Sequence, residues 1–148
     1  MTNATAFQLL AVYKYYSDNP WRFLYSTNPN IRDGWKQGPI AFYGLDRPSR
    51  DIVPVYQFVA TTPYYRYQYS TSQTVDGPGW TNEGIAFHAA PSPRRRYAPV
   101  YQYFSVDNGN WRYQYSMSPA IGGGWTREKI AFYVPVPPWH QPRNEWQG

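Results

Sequence analysis

With 148 residues and no cysteine, the chain has the length of one domain or of a few repeats sharing one core, and it can hold neither a disulfide nor a thiolate-bound metal. Its net charge of +5 divides as +3 over residues 9–50, +1 over 51–96 and +1 over 97–148, a spread that argues against one basic face for nucleic acid. No apolar run approaches the roughly 18 residues of a membrane span, and Met1–Leu10 lacks a basic and then apolar leader, so a cytoplasmic or non-classically secreted protein is expected and the compartment is otherwise open.

Taken from the N-terminus, the blocks repeat. The first stretch reads Val12-Tyr13-Lys14-Tyr15, Trp21 to Ser26, Gly34-Trp35 and Ile40-Ala41-Phe42-Tyr43. The second reads Val55-Tyr56-Gln57-Phe58, Tyr65 to Ser70, Gly79-Trp80 and Ile85-Ala86-Phe87-His88. The third reads Val100-Tyr101-Gln102-Tyr103, Trp111 to Ser116, Gly124-Trp125 and Ile130-Ala131-Phe132-Tyr133. Trp35, Trp80 and Trp125 fall 45 residues apart both times, as do Ile40, Ile85 and Ile130. Four blocks recurring in order at one period mark tandem repeats, over about 9–50, 51–96 and 97–135, followed by a tail at 136–148 that holds Trp139 and Trp146.

Each block is short, β-branched or aromatic, and bounded by Pro, Gly, Asn, Asp or Ser, which is strand chemistry. Ser17 to Pro20 and Asp107 to Asn110 read as hairpin turns, and Asn28–Asp33 and Ser118–Gly123 as loops. The expected fold is all-β: three four-stranded repeats, twelve strands in all, closing one domain over residues 1–148 with pseudo-three-fold symmetry. A β-trefoil is the expected architecture and a β-prism the alternative. One repeat alone cannot bury its apolar face, so all three are needed.

The pattern Pro-Val-Tyr, then an aromatic strand ending in Tyr-Ser, then Gly-Trp-x-x-Glu-Gly-Ile-Ala-Phe resembles a bacterial and fungal repeat domain of uncharacterised function, often appended to secreted hydrolases and other surface proteins. The likeness is clearest at Pro54-Val55-Tyr56 and over Gly79–Phe87, and extends over roughly 10–135. Where that family often carries Asp-His before its second aromatic block, this chain has Trp21-Arg22, Tyr65-Arg66 and Trp111-Arg112. The resemblance implies a binding accessory module rather than a catalyst.

Catalysis has little to work with. The two histidines, His88 and His140, stand in unrelated settings, and Glu83 and Glu128 occupy equivalent places in separate repeats rather than facing one cleft. No enzyme activity, metal or cofactor is expected. Binding is favoured by the aromatic content, 20% with sixteen tyrosines, because Tyr and Trp present an apolar face and a polar edge. Arg22, Arg66 and Arg112 each follow a large aromatic, Trp21, Tyr65 and Trp111. With Tyr13, Tyr56 and Tyr101 on the face opposite the valines, and Gln57 and Gln102 beside them, they supply flat rings and polar groups for a pyranose. For the arginines, stacking on neighbouring rings is the competing structural role. Val12, Val55, Val100, the Ile-Ala-Phe blocks and the Gly-Trp tryptophans are expected in the core. The function read here is a lectin with up to three sites, taking glycans or glycoproteins, acidic ones among them. The alternatives are a protein-binding module using the loops Thr61–Tyr64 or Thr71–Gly79, then a single-stranded nucleic-acid binder.

Overall fold

The computed structural model describes residues 7–18 and 21–137. The first hairpin turn, at Asn19-Pro20, and the tail from 138 with Trp139, His140 and Trp146 lie outside the described residues. Nine strands are present among those described: β1 (Leu9–Asp18), β2 (Trp21–Ser26), β3 (Lys36–Leu45), β4 (Val53–Ala60), β5 (Arg66–Ser70), β6 (Thr81–Ala89), β7 (Tyr97–Asp107), β8 (Asn110–Ser116) and β9 (Thr126–Pro135). The fold is all-β, with no helix among the described residues and all ladders antiparallel.

The count corrects the expectation of four strands per repeat. Gly34-Trp35 and Ile40-Ala41 were read as separate strands, yet only four residues part them, too few for a reversal. Trp35 instead ends the loop, and one long strand runs from Lys36 through the Ile-Ala-Phe block; the same holds before β6 and β9.

The strands form a six-stranded sheet, β2-β1-β3-β6-β4-β5, and a three-stranded sheet, β8-β7-β9, with no closed barrel. In each set of three the first strand is central, paired to the second along a hairpin and to the third along its other edge. The sets are joined lightly. β3 meets β6 at the single pair Leu45–His88, and Ala90 exchanges both backbone bonds with Tyr133, at 2.9 and 2.8 Å. The β7–β8 hairpin turns at Asn108-Gly109, both with positive φ (52° and 78°), the two-residue geometry that matches strand twist.

The core is built from the expected positions, with one correction. Val12, Val55 and Val100 are fully buried, and Phe42, Phe87 and Phe132 meet edge to face with centroids 5.5–5.7 Å apart. Ile40, Ile85 and Ile130, two residues before each Phe, were expected inside as well; they are 41%, 54% and 42% exposed. The register explains the reversal. Val55 pairs with Phe87 but Tyr56 pairs with Ile85, so Ala86 is an extra residue, a bulge that flips Ile85 to the opposite face. The same slip recurs at Ala41 and Ala131.

A layer of tyrosines packs against the phenylalanines. Tyr25, Tyr69 and Tyr115 are buried and mutually edge to face, with centroids 5.3–5.6 Å apart. Their hydroxyls close a cycle: Tyr25 N donates to Tyr69 Oη, Tyr69 N to Tyr115 Oη, and Tyr115 N to Tyr25 Oη, each at 2.8 Å. Backbone N–H groups of β2, β5 and β8 thereby find partners in another repeat, and three buried phenols find theirs. Burial pushes all three phenol pKa values up.

Candidate functional site

The inter-repeat surface begins with three glycines. Gly34, Gly79 and Gly124 have φ of 90°, 85° and 83°, and the turn each makes lays the following Trp across the neighbouring repeat. Trp35 packs on Tyr67, Trp80 on Tyr113 and Trp125 on Phe23, with centroids 6.0, 5.9 and 5.6 Å apart. These tryptophans were expected in the core; all three are half-buried instead, and Trp80 and Trp125 wall grooves.

Over each indole lies an arginine of the same repeat. The guanidinium carbons of Arg22, Arg66 and Arg112 stand 4.8, 5.3 and 5.5 Å from the ring centroids of Trp35, Trp80 and Trp125. Arg66 Nη1 donates to the Trp111 carbonyl at 2.9 Å and Nη2 to the Thr62 carbonyl at 3.3 Å. Arg112 donates from Nη1 to the Trp21 carbonyl at 3.1 Å and from Nη2 to Ser105 Oγ at 3.3 Å. The Nε atoms of all three are buried without a hydrogen-bond partner, and no carboxylate pairs with these guanidiniums among the described residues. Arg66 and Arg112 therefore combine ring stacking with hydrogen bonds that reach Trp111 and Trp21 of other blocks, while Arg22 stacks on Trp35.

The expected aromatic partners are redistributed by this geometry. Arg66 is joined not to its sequence neighbour Tyr65 but to Trp111 of the following repeat, and Arg112 to Trp21. The groove at the first of these junctions has a volume of about 430 Å³ and is lined by Arg66, Asp76, Trp80, Asn110, Trp111 and Tyr113, with Gly77, Pro78 and Gly109 at its rim. Trp111 is 42% exposed and stacked on Phe104 at 4.4 Å and 28°, which fixes the plane of its ring. Trp21, 48% exposed, stacks on Tyr16 at 5.8 Å; Tyr65 is 50% exposed. Burial and then the nearby Glu128 carboxylate push the Tyr113 phenol up to about 12, so it stays a neutral donor.

Tyr13, Tyr56 and Tyr101 are half-buried and none lines this groove. Tyr56 Oη accepts from Gln73 Nε2 at 3.3 Å, and the Tyr101 ring lies under the Arg127 guanidinium at 4.9 Å. Gln57 and Gln102 also stand apart. Gln57 Nε2 donates to Glu83 Oε1 at 2.7 Å and Gln102 Nε2 to Glu128 Oε1 at 2.9 Å. Their Oε1 atoms lie 2.9 and 2.6 Å from the hydroxyls of Tyr69 and Tyr115. Gln102 is only 2% exposed, which makes it a link between tyrosine cycle and surface carboxylate. Asp76 and Asn110 were missed by sequence reasoning: they sit in a loop and at a hairpin end, outside the repeated blocks.

His88 is buried at the Leu45 pairing, where desolvation lowers its pKa. No group of three or more His, Asp or Glu residues able to hold a metal occurs among the described residues, and no helix there is long and apolar enough to cross a membrane. Arg94, Arg95 and Arg96 lie exposed on the connector before β7, with the Arg94 guanidinium 4.9 Å over the Tyr97 ring.

No curated protein and no solved structure matches this chain. Residues 31–135 match the family described as a domain of unknown function (DUF5648), and over that span the chain belongs to it.

Proposed function

We propose that the chain is a non-enzymatic carbohydrate-binding protein whose three repeats stand about an approximate three-fold axis and offer up to three related sites, one at each junction. The observation that carries the reading is the groove of about 430 Å³ between the second and third repeats. Its exposed, fixed Trp111 ring suits the C–H face of a pyranose, and Asp76, Asn110 and Tyr113 surround it with acceptors and donors for hydroxyls. Arg112 with Trp125 and Trp21 supports a second such site, and Arg22 stacked on Trp35 a third. The hydroxyl cycle among Tyr25, Tyr69 and Tyr115 favours the three-fold arrangement. Hydrogen-bonded ladders that run almost wholly within sets of three strands, joined only at Leu45–His88 and Ala90–Tyr133 among the described residues and without a closed barrel, favour the β-prism alternative over the β-trefoil.

A glycan array at physiological salt tests the reading, with Trp111→Ala and Asp76→Asn run beside the parent. Saturable binding to a related set of glycans is expected, weakened about tenfold or more by Trp111→Ala, which removes the platform. A folded protein that leaves the array blank overturns the reading; protein partners and then single-stranded nucleic acid would be screened next.

A further inference from the structure

The junction between the third and first repeats carries a different chemistry from its counterparts. Gln57 and Gln102 correspond to Lys14 in the first repeat, in the same place of each Val-Tyr block, and Glu83 and Glu128 correspond to Gly38, 45 residues apart both times. Two junctions thus place an amide–carboxylate pair where the remaining one places an ammonium with no carboxylate beside it.

The space differs too. The groove at Gln57–Glu83 has a volume of about 230 Å³, whereas the groove at Lys14 reaches about 520 Å³. Gly38 contributes no side chain to this space, and its ideal Cβ would lie 2.9 Å from the Lys14 carbonyl oxygen, so the local backbone is closed to larger residues. Gly122 and Gly123, with φ of 64° and 65°, line the far side and leave it open. Lys14 Nζ is half-buried, donates to Gln114 Oε1 and sits 4.9 Å over the Phe23 ring. No carboxylate pairs with it among the described residues. A partly desolvated charge with only neutral partners is a standing attraction for an anion. Trp125 and the exposed Ile40 offer apolar surface beside it, and Ser116 a hydroxyl.

We infer that the groove between β8 and the β1–β3 pair is a separate site for a carboxylate-bearing sugar such as a uronic acid, with Lys14 as the group that pairs with the carboxylate. The sugar part of this inference rests on the carbohydrate reading above; the charge preference does not depend on the Trp111 groove.

The test is calorimetric titration of the full chain with a glucuronate-terminated oligosaccharide and its neutral glucose-terminated counterpart, using parent, Lys14→Gln and Trp111→Ala proteins. Lys14→Gln installs the side chain that the sister repeats carry at 57 and 102, and a thermal melt confirms that it folds. The parent is expected to prefer the uronate by about tenfold, the size of one charge-assisted contact. Lys14→Gln should erase that preference while leaving neutral-sugar binding, and Trp111→Ala should weaken neutral-sugar binding while leaving uronate binding at Lys14. Amide shifts on uronate addition should centre on Lys14, Gly122 and Gly123. A parent that binds neutral sugar with no uronate preference, or a preference that survives Lys14→Gln, overturns the inference and leaves the carbohydrate reading standing. If neither sugar binds, both fail.

Discussion

Replacing Tyr115 by Phe isolates what the hydroxyl cycle contributes. The ring stays, and with it the edge-to-face contacts to Tyr25 and Tyr69 and the stacking on Phe132. Two buried groups lose their partner: Tyr69 N–H, which donates to Tyr115 Oη at 2.8 Å, and Gln102 Oε1, 2.6 Å from the same oxygen. A buried polar group left unpaired costs about 1–3 kcal/mol, so the pair amounts to about 2–6 kcal/mol. Set against a typical domain stability of roughly 5–15 kcal/mol, that is a large fraction. At about 2–4 °C per kcal/mol for a chain of this size, melting should fall by about 4–24 °C. Urea unfolding followed by tyrosine fluorescence and far-ultraviolet circular dichroism measures it; the midpoint should drop with the slope unchanged. Adding Gln102→Met to Tyr115→Phe removes one orphan and should recover about 1 kcal/mol, because replacing both partners by apolar groups approaches neutrality. A loss below about 0.5 kcal/mol for Tyr115→Phe would refute the idea that the cycle holds the repeats together.

Three further outcomes follow from the same structure. Because burial raises the phenol pKa values of Tyr25, Tyr69 and Tyr115, the folded state keeps protons that the unfolded chain releases above about pH 10; stability is then intact below that pH and falls by up to about 1.4 kcal/mol per pH unit for each phenol above it, measurable as alkaline melting curves. Phe87→Ala should cost about 3–5 kcal/mol while Ile85→Ser, two residues away on the other face, should stay within about 0.5 kcal/mol; equal losses would contradict the bulge. Arg66→Lys keeps the charge but loses the planar stack on Trp80 and the two-pronged reach to the Trp111 and Thr62 carbonyls, so it should lower stability by about 1–2 kcal/mol in chemical unfolding, with no effect expected if Arg66 were merely a surface charge.

Much of the strand plan was open to a reader of the chain. Val12, Val55 and Val100 alternate with half-buried neighbours, Phe42, Phe87 and Phe132 end each repeat's apolar run, and Asn108-Gly109 announces its turn. All of these are local signals. What stayed hidden depends on a second strand. An alternating pattern assigns Ile85 and Phe87 to one face, and only the pairing with Val55 and Tyr56 discloses the bulge between them. Likewise Arg66 has Tyr65 next to it in sequence, yet its hydrogen bond goes 45 residues away to Trp111. Asp76 and Asn110 carry no periodic mark at all, because they line the groove from a loop and from the first residue of β8. The candidate site was therefore legible in residue types and illegible in their grouping.

The tyrosine cycle has no free end. In an open stack of repeats another copy can be added at either terminus, since each new unit meets a face like the last. Here the hydroxyl of Tyr25 already returns to Tyr115, so a fourth copy would find no vacant N–H to accept from and no phenol to receive its own. Duplication or loss of one repeat would break the ring rather than lengthen or shorten it. The three tyrosines satisfy one another completely, so the ring is closed at three.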